Sequence, residues 1–170
     1  MLQVLDAIVL SLTRQNDTTS LLYTYTRQYG RMIFVVYGKK GTSKKNGVNL
    51  NILYPMSVVQ ISSDINPQKQ YNYIKAVSLS YIPSSLMSDS KKMCISLFMS
   101  EAVSKVVRHQ MEDIELYDFL YSSVKNLDAA DSVENIPSFF IEQLSYMLGY
   151  GGEITDELKD LGSYELVKML

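Results

Sequence analysis

The pattern of hydrophobic and polar positions changes its period about halfway along the chain. Up to about position 81, apolar and polar residues alternate in short runs, which is typical of β-strands. From Ser88 onward, apolar residues recur every three or four positions, which is typical of α-helices. The change falls at Pro83. The sequence therefore predicts an α+β protein in which a strand-rich part precedes a helical part.

Turn signals divide the first part into five strands, which together predict a small barrel or sandwich. The predicted strands are Gln3–Leu12, Ser20–Thr26, Arg31–Tyr37, Val58–Ser62 and Tyr71–Tyr81. Gly30 closes a hairpin between the second and third strands, because glycine accepts positive φ in a tight turn. The fourth strand is expected to start near Leu53. Val4, Ile8 and Leu10 are expected to share one face of the first strand, and the odd-numbered residues 71–81 to share one face of the last.

The second part predicts an acidic helical bundle. A first helix begins after Ser88 with Asp89 as its cap, and its expected apolar stripe consists of Met93, Leu97, Val103, Val106 and Val107. Cys94 is expected to be buried beside this stripe. Further helices are predicted over Ile114–Leu127, over Pro137–Leu148 with Gly149 ending it, and weakly over 155–170.

Charge divides the chain at nearly the same place. Residues 1–75 contain nine basic and three acidic residues, a net charge of +6, whereas residues 76–170 contain seven basic and fifteen acidic residues, a net charge of −8. A basic half attracts polyanions, and an acidic half repels them. The split indicates that a polyanionic partner such as nucleic acid would be confined to the strand-rich half.

A loop rich in glycine and lysine, Gly38–Gly47, contributes much of this positive charge. It lacks the G-x-x-x-x-G-K-[ST] pattern of a phosphate-binding loop, so nucleotide hydrolysis is not indicated. Aromatic residues interleave with the basic ones, a combination typical of single-strand binding. The predicted nucleic-acid contacts are Arg27, Arg31, Lys39, Lys40, Lys44, Lys45, Lys69, Tyr29 and Tyr37. The alternative is that the loop is exposed to solvent without binding a ligand and that the aromatic rings serve only to pack the strands.

Several classes of function are not supported by the composition. The chain has one cysteine and one histidine, His109, so neither a disulfide, a multi-cysteine zinc site nor a Cys/His or Ser/His catalytic set is indicated. The apolar runs are shorter than the ~20 residues of a membrane span, and the N-terminus lacks the features of a signal peptide. The expected location is the cytoplasm.

Four segments, in order, resemble the RecO family of bacterial recombination-mediator proteins. The segment Asp6–Ser11 is similar to the opening strand of the family, and Leu22–Arg31 to its "lyT-x-x-x-G-(K/R)" hairpin. The segment Tyr37–Lys45 resembles the basic loop that follows. Phe139–Tyr150 resembles the "F-x-x-x-L-L-x-x-L-G-Y" segment. Together these segments extend over residues 6–150, most of the chain.

The resemblance implies an N-terminal OB-fold, a five-stranded barrel at 1–82, and an all-α domain at 83–170. It also implies binding of single- and double-stranded DNA, strand annealing and recombinase loading in the bacterial nucleoid, without enzymatic activity or a cofactor. The implied partners are a RecR-type mediator and single-strand-binding protein. Many members hold zinc with four cysteines and continue past position 170, so this chain is expected to be a short or truncated form without zinc.

Two other functions fit the same residues. A protein-interaction adaptor could keep the OB-like fold and have little DNA affinity, since the helical half is acidic and the barrel only modestly basic. An enzyme acting on nucleic acid is the third, but the sequence supplies no acid, base or metal cluster for it. DNA binding is the leading hypothesis.

Overall fold

Five strands and three helices form the fold, which is known from a computed structural model that describes residues 2–37, 48–66, 68–107 and 113–150. The strands are β1 (Leu2–Arg14), β2 (Thr19–Thr26), β3 (Gly30–Tyr37), β4 (Val58–Asp64) and β5 (Asn72–Leu79). The helices are α1 (Ser90–Val106), α2 (Ile114–Ala129) and α3 (Ile136–Ser145). The predicted α+β architecture is confirmed. The weak helix predicted over 155–170 lies outside the described residues.

The strands close into a barrel in the order β1-β2-β3-β5-β4, with β4 returning to β1. Neighbours pair antiparallel except β3 and β5, which run parallel and pair only at Phe34–Asn72 and Val35–Tyr73. Gly30 starts β3 at φ 64°, the positive value that the hairpin turn requires. The barrel confirms the predicted OB-like fold.

Two clusters of buried side chains form the core. One fills the barrel and contains Leu5 and Phe34. The other combines barrel residues such as Ile8 and Tyr25 with helical residues such as Leu120. The strands end at Leu79 and α1 begins at Ser90, but the second cluster extends across this junction. The division into domains at position 82 therefore stays a prediction.

The face of β1 that carries Val4, Ile8 and Leu10 is buried over only part of its length. Val4 is 56% exposed, because the barrel interior is filled by the opposite face of β1, with Leu5, Ala7 and Val9. Ile8 and Leu10 are buried as expected, against the helices.

The last strand does not keep one phase. Ser62 pairs with Ala76 but Ser63 pairs with Ile74, so Lys75 is an extra residue that forms a bulge. Tyr73 and Lys75 are exposed on one side of the bulge, whereas Val77 beyond it packs on the barrel core. The fourth strand also begins later than expected, at Val58, because Pro55 and Met56 form a turn in which Met56 has a φ of 63°.

The first helix buries only part of the predicted stripe: Val103 and Val107 are buried as expected, but the residues nearer its start are not. Met93 and Leu97 are 44% and 55% exposed and Cys94 is exposed, while Lys92, Ser96 and Ser100 are buried. The two serine hydroxyls donate to carbonyls of their own helix, Ser96 to Met93 and Ser100 to Leu97. Because their polar groups are satisfied locally, these small residues can pack inside.

Asp128, near the end of α2, holds the segment that joins β5 to α1. Its two carboxylate oxygens accept hydrogen bonds from the backbone N–H groups of Ser84, Ser85 and Leu86, at 2.7–2.8 Å, and from the Tyr81 hydroxyl at 2.7 Å. Burial alone would raise the pKa of this carboxyl group, but these four donors together hold it well below its usual range. The same Tyr81–Asp128 hydrogen bond raises the pKa of Tyr81 to about 12.

The buried Lys92 completes this junction. Its Nζ donates at 2.7 Å to both the backbone carbonyl of Asp128 and the hydroxyl of Ser85. A polar network therefore fixes the helices to the end of the barrel sheet.

Candidate nucleic-acid interface

The β2–β3 hairpin separates the predicted contacts into two groups. Arg27, Tyr29 and Arg31 lie at the tip, around Gly30, whereas Tyr37 lies at the far end of β3. Seven residue steps of ~3.3 Å separate these ends by roughly 23 Å. We call them the hairpin tip (Arg27–Arg31) and the hairpin mouth (the strand end at Tyr37 with the neighbouring start of β5).

At the hairpin tip, Arg31 is bound to the helical half. Its Nη1 donates to the backbone carbonyls of Ser104 at 3.1 Å and Val107 at 2.7 Å, where α1 ends. The last carbonyls of a helix lack partners within the helix and carry partial negative charge, so a guanidinium satisfies them well. The Arg31 side chain is thus engaged within the protein.

Arg27 faces the other helix. Its Nη2 lies 3.1 Å from the carboxylate of Asp118, and its guanidinium carbon lies 5.9 Å from the centre of the Tyr117 ring. Both charged side chains of this ion pair are about half exposed, so the pair contributes little stability and could exchange partners.

The tyrosines of β2 and of the tip also serve internal contacts. The Tyr29 hydroxyl donates to Gln3 at 2.9 Å, and the Tyr25 hydroxyl donates to the backbone carbonyl of Asp113 at 3.4 Å. Burial, with the nearby Asp113 charge, raises the pKa of Tyr25 to about 12, so this phenol remains a donor. The hairpin tip is mainly a contact between barrel and helices.

The hairpin mouth, in contrast, presents aromatic rings to solvent. Tyr37 and Tyr73 are 55% and 56% exposed, and their ring centres lie 5.9 Å apart with the planes inclined by only 4°. Tyr73 is placed there by the β3–β5 pairing, which sets it opposite Val35, two residues before Tyr37. Tyr71, two residues before Tyr73, is 37% exposed.

Basic residues occur on the strands and turns that form the hairpin mouth. Lys69 is exposed in the turn between β4 and β5. The Lys75 ammonium is hydrogen-bonded to the Asp64 carboxylate, which lowers the pKa of Asp64. Arg14 pairs with Asp17 in the turn between β1 and β2, close to the mouth because Thr19 pairs with Tyr37. Lys39, Lys40, Lys44 and Lys45 lie outside the described residues, although Tyr37 directly precedes their loop.

The hairpin mouth coincides with the surface that OB barrels generally use for oligonucleotides, beside the β1–β2 and β4–β5 turns. Sequence reasoning placed Tyr37 and Lys69 in the site but missed Tyr71 and Tyr73. The sequence signal for these two tyrosines is that Tyr71, Tyr73 and Lys75 occupy alternate positions, so aromatic and basic residues share one face of the strand. That alternation was predicted to continue unbroken to Tyr81, because the bulge at Lys75 has no distinctive sequence signal.

The helical half carries surface pockets of its own. One, of about 320 Å³, lies beside α2 and α3 and is lined by residues that include Asn126, Asn135 and Phe139. Another, of about 270 Å³, lies beside Cys94 and is lined by Tyr54 and Leu97 among others.

Neither a metal site nor a membrane span is found where the structure describes the chain. A search of residues 2–37, 48–66, 68–107 and 113–150 finds no cluster of three or more His, Cys, Asp or Glu side chains able to hold a metal ion. In the same ranges no helix has the length and apolar character to cross a membrane.

The structure combines a closed OB-like barrel with a helical bundle, and the barrel carries aromatic and basic residues at the hairpin mouth. These features define a protein of the OB-fold class with an added helical part. The family model "Recombination protein O C terminal" matches residues 87–159. The chain is 31% identical over 150 residues to DNA repair protein RecO of Phocaeicola vulgatus, covering 88% of this chain and 61% of that protein. Over most of its length the chain is therefore similar to proteins of the RecO family, in agreement with the resemblance identified from the sequence.

Two other relatives show the same extent of similarity. DNA repair protein RecO of Bacteroides fragilis is 30% identical over 158 residues, which is 92% of this chain and 64% of the relative. That of Porphyromonas gingivalis is 26% identical over 161 residues, 91% of this chain and 66% of the relative. The chain thus spans 61 to 66% of the length of these three curated relatives.

Proposed function

We propose that this protein is a non-enzymatic DNA-binding protein of recombinational repair, which binds single- and double-stranded DNA and promotes annealing and recombinase loading. The observation that carries the proposal is its similarity, across barrel and helices together, to proteins named DNA repair protein RecO. The hairpin mouth supports it, because its tyrosine rings are over half exposed to solvent, whereas Arg31 at the tip is bound to the helical half.

Contacts to the phosphate backbone would supply the affinity. Lysines at positions 39, 40, 44 and 45, predicted from the sequence, and the exposed Lys69 carry the positive charge in this region. Contacts of this kind position a strand without reading its bases. A strand held by its backbone keeps its base edges available for pairing, which is the condition that annealing of complementary strands requires.

The proposed partners follow from the family. A RecR-type mediator and single-strand-binding protein are proposed to act with this chain at the bacterial nucleoid. The acidic helical half, which carries most of the chain's carboxylates, would repel DNA and so stay accessible to proteins.

A salt titration of single-strand affinity tests the proposal. Fluorescence anisotropy of a labelled oligonucleotide is measured for the wild type and for a variant with Lys39, Lys40, Lys44 and Lys45 changed to Ala. Each phosphate contact on a single strand contributes about 0.7 to the magnitude of the slope of log K against log salt. Removing four lysine contacts should therefore reduce the magnitude of the slope by about 3.

The control removes charge elsewhere. The exposed Lys91 and Lys125 of the helical half, changed together to Ala, should leave both the slope and the affinity unchanged. An unaltered slope in the four-lysine variant would exclude the loop as a DNA contact.

A protein-interaction adaptor with little DNA affinity is the second candidate. It is favoured by the hairpin tip, where Arg27 and Arg31 are engaged by Asp118 and by the end of α1 instead of being held free for phosphates. The adaptor predicts no measurable binding of any oligonucleotide at moderate salt. The affinity of the wild type at moderate salt, measured in the same titration, therefore distinguishes the two functions.

A further inference from the structure

The stacked pair Tyr37–Tyr73 has an arrangement that internal packing does not require. Ring centres 5.9 Å apart and nearly parallel planes describe an offset stack. Over half of each side chain nevertheless remains exposed to solvent. Rings that serve only the fold are normally covered, as Tyr25 is in the same barrel.

The barrel also limits how the pair can move. Tyr73 is fixed by the main-chain pairing of β5 with β3, and Tyr37 is the last residue of β3. The rings are therefore presented on paired strands, which lowers the entropy lost when a ligand stacks on them. Tyr71 continues this aromatic row along β5, and the nearby turn carries Lys69.

Resting on the proposed function, we infer that the Tyr37–Tyr73 pair is a stacking platform for an unpaired nucleobase. The platform makes the barrel prefer single strands over duplexes. An unpaired base exposes a π-face that can cover a tyrosine ring, whereas the bases of a duplex are stacked on each other and present only their edges and the backbone. Lys69 would meet the phosphate of the strand that stacks there.

A packing role is the alternative, since cross-strand aromatic pairs also stabilise sheets and β3 and β5 share only two register pairs. Variants that keep the packing but change the ring separate the two roles. Leucine at both positions keeps apolar bulk without a π-face, and phenylalanine keeps the ring without the hydroxyl. The Y37L/Y73L and Y37F/Y73F variants are compared at a temperature at which circular dichroism shows both to be folded.

Three oligonucleotides of equal length are titrated at one salt concentration: oligo(dT), the same backbone with abasic sugars, and a duplex. The wild type should bind oligo(dT) more tightly than the abasic strand by roughly 5- to 150-fold, the range expected for one stacked base. Y37F/Y73F should keep this ratio. Y37L/Y73L should reduce it toward one, while its affinities for the abasic strand and the duplex stay as in the wild type.

The outcomes distinguish this inference from the proposed function. If Y37L/Y73L keeps the wild-type preference for oligo(dT) over the abasic strand, the platform is refuted while DNA binding stands. The same holds if its affinities for all three oligonucleotides fall equally. If the wild type binds none of the three, the proposed function fails and the platform fails with it.

Discussion

Replacing Asp128 by asparagine should destabilise the protein more than any exposed charge change. The carboxylate of this residue is buried and accepts three backbone N–H groups and the Tyr81 hydroxyl. Asparagine is nearly isosteric but has one oxygen and one NH₂ group, so at least two of these donors would face another donor. The variant also removes the charge that strengthens the remaining hydrogen bonds.

The magnitude follows from the lost bonds. A hydrogen bond to a charged group contributes about 1.5–3 kcal/mol, so losing two of them with partial relaxation should cost about 3 kcal/mol of unfolding free energy. For a chain of this size, 1 kcal/mol corresponds to about 2–4 °C in Tm, so the melting temperature should fall by roughly 6–12 °C.

Urea denaturation followed by circular dichroism measures this difference, with Asp131→Asn as the matched control. Asp131 lies three residues further on and is exposed, so its variant should stay within about 0.5 kcal/mol of the wild type. An unchanged stability of Asp128→Asn would refute the structural reasoning.

The pH dependence gives a second check. Because the pKa of Asp128 is held below its value in the unfolded chain, its contribution is fully present above the unfolded pKa of about 3.9 and is lost as the pH falls toward the folded pKa. The difference between wild type and Asp128→Asn should therefore be constant above about pH 5 and narrow below about pH 4. A difference that does not change with pH would mean that the charge of Asp128 is not what the network stabilises.

Three further results are expected. Arg31→Ala should lower the unfolding free energy by about 1–3 kcal/mol in urea, because two helix-end carbonyls lose their donor. It should leave single-strand affinity nearly unchanged, and a loss as large as that of the four-lysine variant would instead restore Arg31 as a DNA contact. Gly30→Ala should cost about 1–2 kcal/mol by the same measurement, because φ there is 64°. Cys94 should react fully with a thiol reagent in the native protein, and protection until unfolding would contradict its exposure.

The order and the type of the elements could be predicted because local signals mark them. The turn at Gly30, the cap at Asp89 and Pro137 at the start of α3 each reflect a local backbone requirement, and the structure uses all three. The side of an element that is buried depends instead on its neighbours. Lys92 is buried because Asp128, 36 residues away, offers its carbonyl, and the sequence around Lys92 contains no sign of that partner.

Only part of the candidate site could be predicted from the sequence. Tyr37 could be identified because it is next to a lysine-rich loop. Its stacking partner, Tyr73, lies on β5, which pairs with β3 only when the barrel closes. The grouping of Arg27 and Arg31 with the loop lysines stays a prediction, but these two arginines lie at the hairpin tip, away from Tyr37 at the mouth. Residues at the two ends of one hairpin are close in sequence but roughly 23 Å apart in an extended strand.

The opposite net charges of the two halves of the chain also contribute to the contact between barrel and helices. Opposite charges of the two halves meet at Arg27 and Asp118, so part of the positive excess is paired with a carboxylate of the helical half. If DNA were bound by all nine basic residues of the first 75, the salt slope for a single strand would approach about 6, at ~0.7 for each. If the four loop lysines and Lys69 carry the binding, the slope should be near 3.5. The slope therefore measures how much of the barrel's charge serves the fold and how much serves the proposed ligand.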